Sequence, residues 1–167
     1  MRREIIISVV FLALGAQARA TAHTFSLPKD SPAIRVTIPD YLEPTDTLRG
    51  AERGVSQERT FTVLVEPMAG AGKQAAAEQC FKMLLDERGN EIDPSSVKQT
   101  ERKINGLDAT DFSFSITEGV ETAGFTLIAT KPGADFMAVV YYGSNEGVKA
   151  NFNAWTTILD SIQPIKK

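Results

Sequence analysis

The sequence predicts an α+β protein in which an antiparallel β-sheet is sandwiched between helices, an α/β/α arrangement. Three observations carry this. Several segments alternate apolar and polar residues with the period of a half-buried strand, as in Ile34, Val36 and Ile38 against Arg35 and Thr37. Phe136 to Tyr142 is apolar almost without alternation, which predicts a strand covered on both faces. Two other stretches, Lys73 to Glu87 and Glu146 to Ile162, carry apolar residues at helical spacing and can supply the covers.

Taken in order, Thr24 to Pro28 and Ala33 to Ile38 read as short strands joined by the turn Lys29-Asp30-Ser31-Pro32. Pro39 to Asp46, rich in proline and acid, reads as a loop. Thr47 to Ser56 is a weaker strand interrupted by Gly50 and Gly54. Thr60 to Glu66 is a strong one, with Phe61, Val63 and Val65 on one face, and Pro67 is expected to end it. Met68 to Gly72 is a small-residue connector. In the helix that follows, Ala76, Ala77, Cys80, Phe81 and Leu84 form the apolar stripe, and Gly89-Asn90 is the expected stop. Val97 to Ile104 carries Lys98, Glu101, Arg102 and Lys103, as an edge strand protected from misassociation should. Asn105-Gly106 signals a hairpin. Leu107 to Thr117 places Phe112, Phe114 and Ile116 on one face, opposite Asp111, Ser113 and Ser115. Gly124 to Lys131 and Asp135 to Tyr142 complete a meander. In the final helix Val148, Phe152, Trp155, Leu159 and Ile162 make one stripe, and Pro164 stops it. No repeat, long linker or second domain is visible.

Strands, helix, meander and closing helix, in that order, resemble the Mog/PsbP-like fold. That group includes the PsbP extrinsic protein of photosystem II, Ran-binding import factors of the Mog type and small exported bacterial domains of unknown function. The resemblance covers roughly Phe25 to Pro164. It is carried by Phe25-Ser26-Leu27-Pro28 before Ile38-Pro39, the strand Phe61 to Glu66, the meander from Gly106-Leu107 to Tyr141-Tyr142, and the closing Trp155 with Ile158-Leu159-Asp160-Ser161-Ile162. These are core residues. The resemblance implies an α/β/α sandwich and work in binding or assembly more than catalysis, and it transfers no functional residue.

The N-terminus bears on location. Arg2 and Arg3, the apolar run Ile5 to Ala16 and Ala18-Arg19-Ala20 have the order of a secretory signal peptide with its small-residue cleavage site. Cleavage after Ala20 is expected, leaving residues 21–167 as one exported domain, periplasmic or secreted, with no membrane span. No cysteine lies near the site, so lipid-anchored export is not expected. The 167-residue chain has 18 basic and 21 acidic residues, net −3. Loss of Arg2, Arg3, Arg19 and Glu4 leaves 15 and 20, net −5. Such an acidic domain is a poor ligand for nucleic acid or an anionic membrane, both of which are held by Lys and Arg.

One cysteine and one histidine exclude more. Cys80 has no partner for a disulfide, and its place on the helix stripe predicts core packing. His23 stands beside the cleavage site, where termini are usually mobile. A zinc centre of the usual type lacks ligands, and Ser-His-Asp or Cys-His chemistry would need His23 folded back into a site. Gly70-Ala71-Gly72-Lys73 sits where a phosphate loop would, between strand and helix. Pro67 stands where its first glycine is required, however, and Gln74 where Ser or Thr is. Asp86, Glu87, Asn90, Glu91 and Asp93 offer oxygen ligands to calcium at spacings that match no calcium loop. Gly143-Ser144-Asn145-Glu146-Gly147 lacks the glycine spacing of a nucleophile elbow, and Ser144 or Asn145 is expected to cap the last helix instead. Asp108/Asp111 and Glu118/Glu121 are carboxylate pairs on a strand face or in a turn.

No catalytic, cofactor-binding or metal-binding residues are therefore predicted. The candidate partner surface is Tyr41, Leu42, Leu48, Arg49, Arg53 and Arg59, because Arg and Tyr are favoured at protein interfaces. The first functional reading is an exported, non-enzymatic domain that binds an unknown protein partner in the cell envelope or assists assembly of an envelope complex. The alternative is a small-ligand binder or carboxylate-based enzyme with a pocket between sheet and helix. A structural accessory protein without a small-molecule site is the third.

Overall fold

In the computed structural model, residues 22–45, 51–68, 72–88, 92–116, 120–131 and 135–165 are described, and most of the apolar alternation in these segments resolves into two antiparallel sheets. The larger is built from β3 (Leu42–Thr45), β4 (Glu52–Ser56), β5 (Phe61–Met68), β6 (Lys98–Ile104), β7 (Leu107–Ile116), β8 (Glu121–Lys131) and β9 (Asp135–Ser144). Its seven strands run in the order β3-β4-β5-β9-β8-β7-β6. The smaller contains β1 (Ala22–Leu27), β2 (Ile34–Pro39) and β10 (Gln163–Pro164), in the order β1-β2-β10. The helices are α1 (Lys73–Arg88), α2 (Asn145–Ala150) and α3 (Phe152–Ser161).

The large sheet has a core on each face, which is why Met137 to Tyr142 are all buried. On one face α1 places Ala76, Cys80 and Leu84 against Leu64, Phe112, Phe114, Phe125 and Val140. On the other, α3 and the small sheet share the cover. Trp155, Ile158 and Leu159 from the helix and Leu27, Ile34 and Val36 from the strands meet Phe61, Val63, Val139 and Tyr141. The predicted α/β/α layering holds, with the first two strands lying in the α3 layer rather than in the main sheet. Ser161 fastens that layer: its Oγ accepts from Thr37 N at 2.9 Å and lies 3.2 Å from Thr37 O.

Three local expectations are corrected. Pro39 to Asp46 is not all loop, since Leu42–Thr45 pairs with β4. Pro44 is tolerated there because β3 is an edge strand and its nitrogen needs no ladder partner. Pro67 does not end β5, which continues to Met68 against β9. The described β4 ladder stops at Glu52–Val65, so Pro67 sits where β5 has β9 alone as a described neighbour. The last helix is two. Asn151 leaves helical geometry at φ −104°, ψ 13°, and both its backbone N and its Nδ2 donate to Gly147 O, at 3.1 and 2.9 Å. The break turns α3 so that Ala154, Trp155, Ile158 and Leu159 face inward and Phe152 is left 55% exposed.

The turn and cap signals are met. Asn105 and Gly106 take φ +48° and +87°, the left-handed pair that a two-residue hairpin requires. Ser144 caps α2 by accepting from Gly147 N at 3.1 Å. The expected signal segment, residues 1–20, and the stop Gly89-Asn90 lie outside the described residues.

Candidate functional site

Strand register assembles a polar hollow on the α1 side of the large sheet. The row Glu43–Val55–Thr62–Tyr142 crosses β3, β4, β5 and β9, and the pair Thr45–Arg53 lies beside it. Side chains directly opposite one another share a face, so these six point the same way. α1 lies over β8 and β9. Beside it, over β3, β4 and β5, these residues and Arg59 line a hollow of about 340 Å³. Within it an Arg53 Nη2–H donates to the hydroxyl of Tyr142.

Arg59 comes from the tight turn joining β4 to β5. Its N donates to Ser56 O at 2.8 Å, and the buried Ser56 Oγ accepts from Thr60 N and Phe61 N, each at 3.2 Å. The turn holds Arg59 at φ +55°. That left-handed conformation is costly for any residue with a Cβ and is usually occupied by Gly or Asn.

The sequence-predicted surface is thus divided. Arg53 and Arg59 line the hollow. Tyr41 is 49% exposed in the turn between β2 and β3, and partial burial raises its phenol pKa. Leu42 is not a surface residue. At 1% exposure it packs with Ile38 and Val63 in the core, because β3 alternates and Leu42 falls on its inner face. Leu48 and Arg49 lie outside the described residues. Glu43, Thr45, Thr62 and Tyr142 were not identifiable beforehand. Only the register places them together.

A second hollow, of about 450 Å³, opens between α1 and the β6–β7 hairpin, with Ala77, Phe81 and Phe112 as its floor. Of the carboxylates on α1 and this hairpin, Glu78 accepts from Gln74 and three are in ion pairs. Lys103 Nζ lies 2.6 Å from Asp108, Arg102 Nε lies 2.8 Å from Asp111, and Lys73 pairs with Glu101. Asp108 and Asp111, three residues apart on one strand, point to opposite faces and cannot act together. Glu118 and the side chains of Glu87, Asn90 and Glu91 lie outside the described residues. Asp93 accepts from Ser95 N at 2.9 Å and from Ser95 Oγ at 2.6 Å. These bonds cap a short 3-10 turn, Pro94–Ser96, and hold its carboxyl below the usual range. Among the described residues no group of three His, Cys, Asp or Glu gathers in metal-ligating geometry. His23 is not part of a frayed end: it pairs with Ile38 in β1, and its Nε2 lies 3.4 Å from Asp40 Oδ1.

The two largest pKa shifts lie in the cores. Burial, with Glu66 as a smaller contribution, pushes the Cys80 thiol from 9.0 up to about 12. Burial, with Asp111 nearby, pushes Tyr141 from 10.0 up to about 12. A thiol that stays protonated when folded and ionises when unfolded gives stability that is complete below its unfolded pKa. As pH rises past 9.0 toward about 12 that stability is lost, at about 1.4 kcal/mol per pH unit. Urea denaturation between about pH 8 and 10 should show this fall, and Cys80→Ala should flatten it; equal slopes in the two chains would contradict it. Native Cys80 should also resist thiol reagents until the chain unfolds.

The chain has the Mog/PsbP-like fold. The cyanobacterial PsbP (CyanoP) of Synechocystis superposes with a TM-score of 0.60 over 90% of this chain and 96% of its own, at 11% identity. The Ran-binding protein Mog1p of Saccharomyces cerevisiae gives 0.53 over 86% and 95%, at 10% identity. LpqN of Mycobacterium tuberculosis, involved in cell envelope biogenesis, gives 0.54 over 87% and 92%, at 10% identity. At these identities the likeness is one of fold. No protein-family model and no curated protein matches the sequence.

Proposed function

We propose that residues 21–167 form one exported, non-enzymatic domain that binds a protein partner of the cell envelope through the polar hollow around Arg53, Arg59 and Tyr142. The carrying observation is Arg59, kept at φ +55° on the rim of that hollow. Retention of a side chain where glycine would be less strained points to a use for the side chain. Two guanidinium groups and a tyrosine around one hollow are residue types favoured at the centre of interfaces. Tyr41 extends it. Export is supported by the signal-peptide pattern of residues 1–20, and no helix among the described residues is long and apolar enough to cross a membrane. Partner binding draws support from the fold's occurrence in a Ran-binding protein and in a protein of envelope biogenesis.

Arg59→Gly separates contact from folding. Relief of the left-handed strain, about 1 kcal/mol or more, is partly offset by the greater freedom of an unfolded glycine, leaving a net change of about 0 to +1 kcal/mol. Thermal stability should be unchanged or higher. Affinity capture from the native envelope after in situ cross-linking should recover a reproducible partner with the wild-type chain and much less with Arg59→Gly. Equal recovery by both chains, or no partner with either, would count against this surface.

A further inference from the structure

The second hollow exists because α1 lies over β8 and β9 and stops short of the edge strand. Phe112 on β7 faces the α1 side, but its partner on β6 is the polar Gln99. The rings of Phe81 and Phe112, edge to face at 5.8 Å and 79°, are therefore roofed only by long polar side chains. The resulting volume, about 450 Å³, falls within the range of about 300–1,000 Å³ typical of small-molecule sites, as does the pattern of an apolar floor with few polar groups.

Every charge around the mouth has a partner. Lys73 pairs with Glu101, which also accepts from Gln99 Nε2 at 3.2 Å and Thr110 Oγ1 at 2.7 Å. Glu78 accepts from Gln74 Nε2 at 3.0 Å. A negatively charged guest would have to break the Lys73–Glu101 pair to find its counter-ion, and a positively charged one would have to share Glu78 with the Gln74 amide. Each glutamine spends one N–H on these bonds and keeps its carboxamide oxygen as an acceptor. Gln74 on the helix and Gln99 on the strand thus offer hydrogen-bond acceptors from opposite sides above an aromatic floor.

We propose that this hollow binds a small uncharged ring-bearing molecule, its ring against Phe81 and Phe112 and an N–H or O–H on its polar edge donated to Gln74 or Gln99. The site is independent of the partner surface, since none of its residues lines the other hollow. The probe is N-phenyl-1-naphthylamine, an uncharged diarylamine that fluoresces in apolar surroundings. Its sulfonated analogue, 1-anilinonaphthalene-8-sulfonate, has the same skeleton with a negative charge.

With the full chain after export, fluorescence of the neutral probe should saturate at one per chain, and the sulfonate should bind at least about tenfold more weakly. Ala77→Phe fills the floor, and Gln74→Trp, at an exposed position, covers the mouth without touching the core. Each should weaken the neutral probe at least about tenfold, while Arg59→Gly leaves it unchanged. Melting curves confirm that each variant is folded; should Ala77→Phe fail there, Gln74→Trp decides. Absence of saturation, wild-type affinity in the folded variants, or equal affinity for the sulfonate would overturn the proposal.

Discussion

Phe125→Ala should lower the unfolding free energy by about 3–5 kcal/mol, a large part of the roughly 5–15 kcal/mol that holds a domain of this kind together. Phe125 is fully buried on β8. Its ring stacks on Phe112 at 4.7 Å and 25°, meets the edge of Phe81 at 5.0 Å and 82°, and meets Phe114 at 6.4 Å and 71°. Such aromatic pairs add about 0.5–1.5 kcal/mol beyond the area they bury, and removing the central ring interrupts three of them. The cavity would lie under two sheet strands and α1, whose backbones are fixed by their own hydrogen bonds, so collapse is limited. Phe125→Leu, which keeps most of the volume, should lose clearly less. Urea denaturation with an unchanged slope gives the comparison. A loss below about 1 kcal/mol for the alanine variant would mean that the cluster repacks freely. Phe81 and Phe112 also floor the α1 hollow, so Phe125→Ala should broaden or weaken probe binding there.

The parts of this fold legible in the sequence are those decided locally. β5, β7 and β9 announce themselves by period and apolar content. Asn105-Gly106 names its turn because few residue pairs accept two positive φ values. Cys80 reads as core because its helix stripe is regular. Where tertiary context decides, the pattern misleads. Leu-Glu-Pro-Thr at 42–45 has too little alternation to show a strand, and it becomes one only because β4 lies alongside. The helical stripe runs straight through Asn151, yet Asn151 leaves helical geometry and its side chain adds a second bond to the Gly147 carbonyl, a local bond that the apolar period does not reveal. Which sheet β1 and β2 join depends on α3 lying against β2, a contact more than a hundred residues away in the chain. For the candidate surface, Arg53 and Arg59 could be picked out by type. Glu43, Thr62 and Tyr142 could not, because their adjacency depends on the register of four strands. Nor does the turn sequence carry the Gly or Asn that would have signalled Arg59's backbone conformation.

Gly147→Ala should destabilise the protein, against the ordinary rule for helices. Within a helix this exchange normally gains about 1 kcal/mol, since alanine has the higher propensity. Here a Cβ on Gly147 would stand 2.2 Å from Thr60 O and 2.7 Å from both Thr60 C and Thr60 Cβ. The obstacle is chiefly backbone, so no rotamer change relieves it, and overpacking of this kind costs about 1–3 kcal/mol or more. Gly143 presses on the same carbonyl, its added Cβ falling 2.1 Å from Thr60 O, while Ser144 N donates to that oxygen at 3.1 Å. Two glycines and one hydrogen bond therefore seat the β4–β5 turn against the start of α2. Thr60 directly follows Arg59, so the shift that admits a methyl group also moves the guanidinium at the hollow. Gly147→Ala should lose both stability and partner capture, whereas Arg59→Gly loses capture alone. Gly143→Ala should act in the same direction, and the double variant should lose less than the two singles together, because a turn already displaced makes room for the second methyl. Additive losses would show that the two glycines act on different parts of the turn. Unchanged stability in Gly147→Ala would show that the turn moves freely, leaving Arg59 no fixed position from which to recognise a partner.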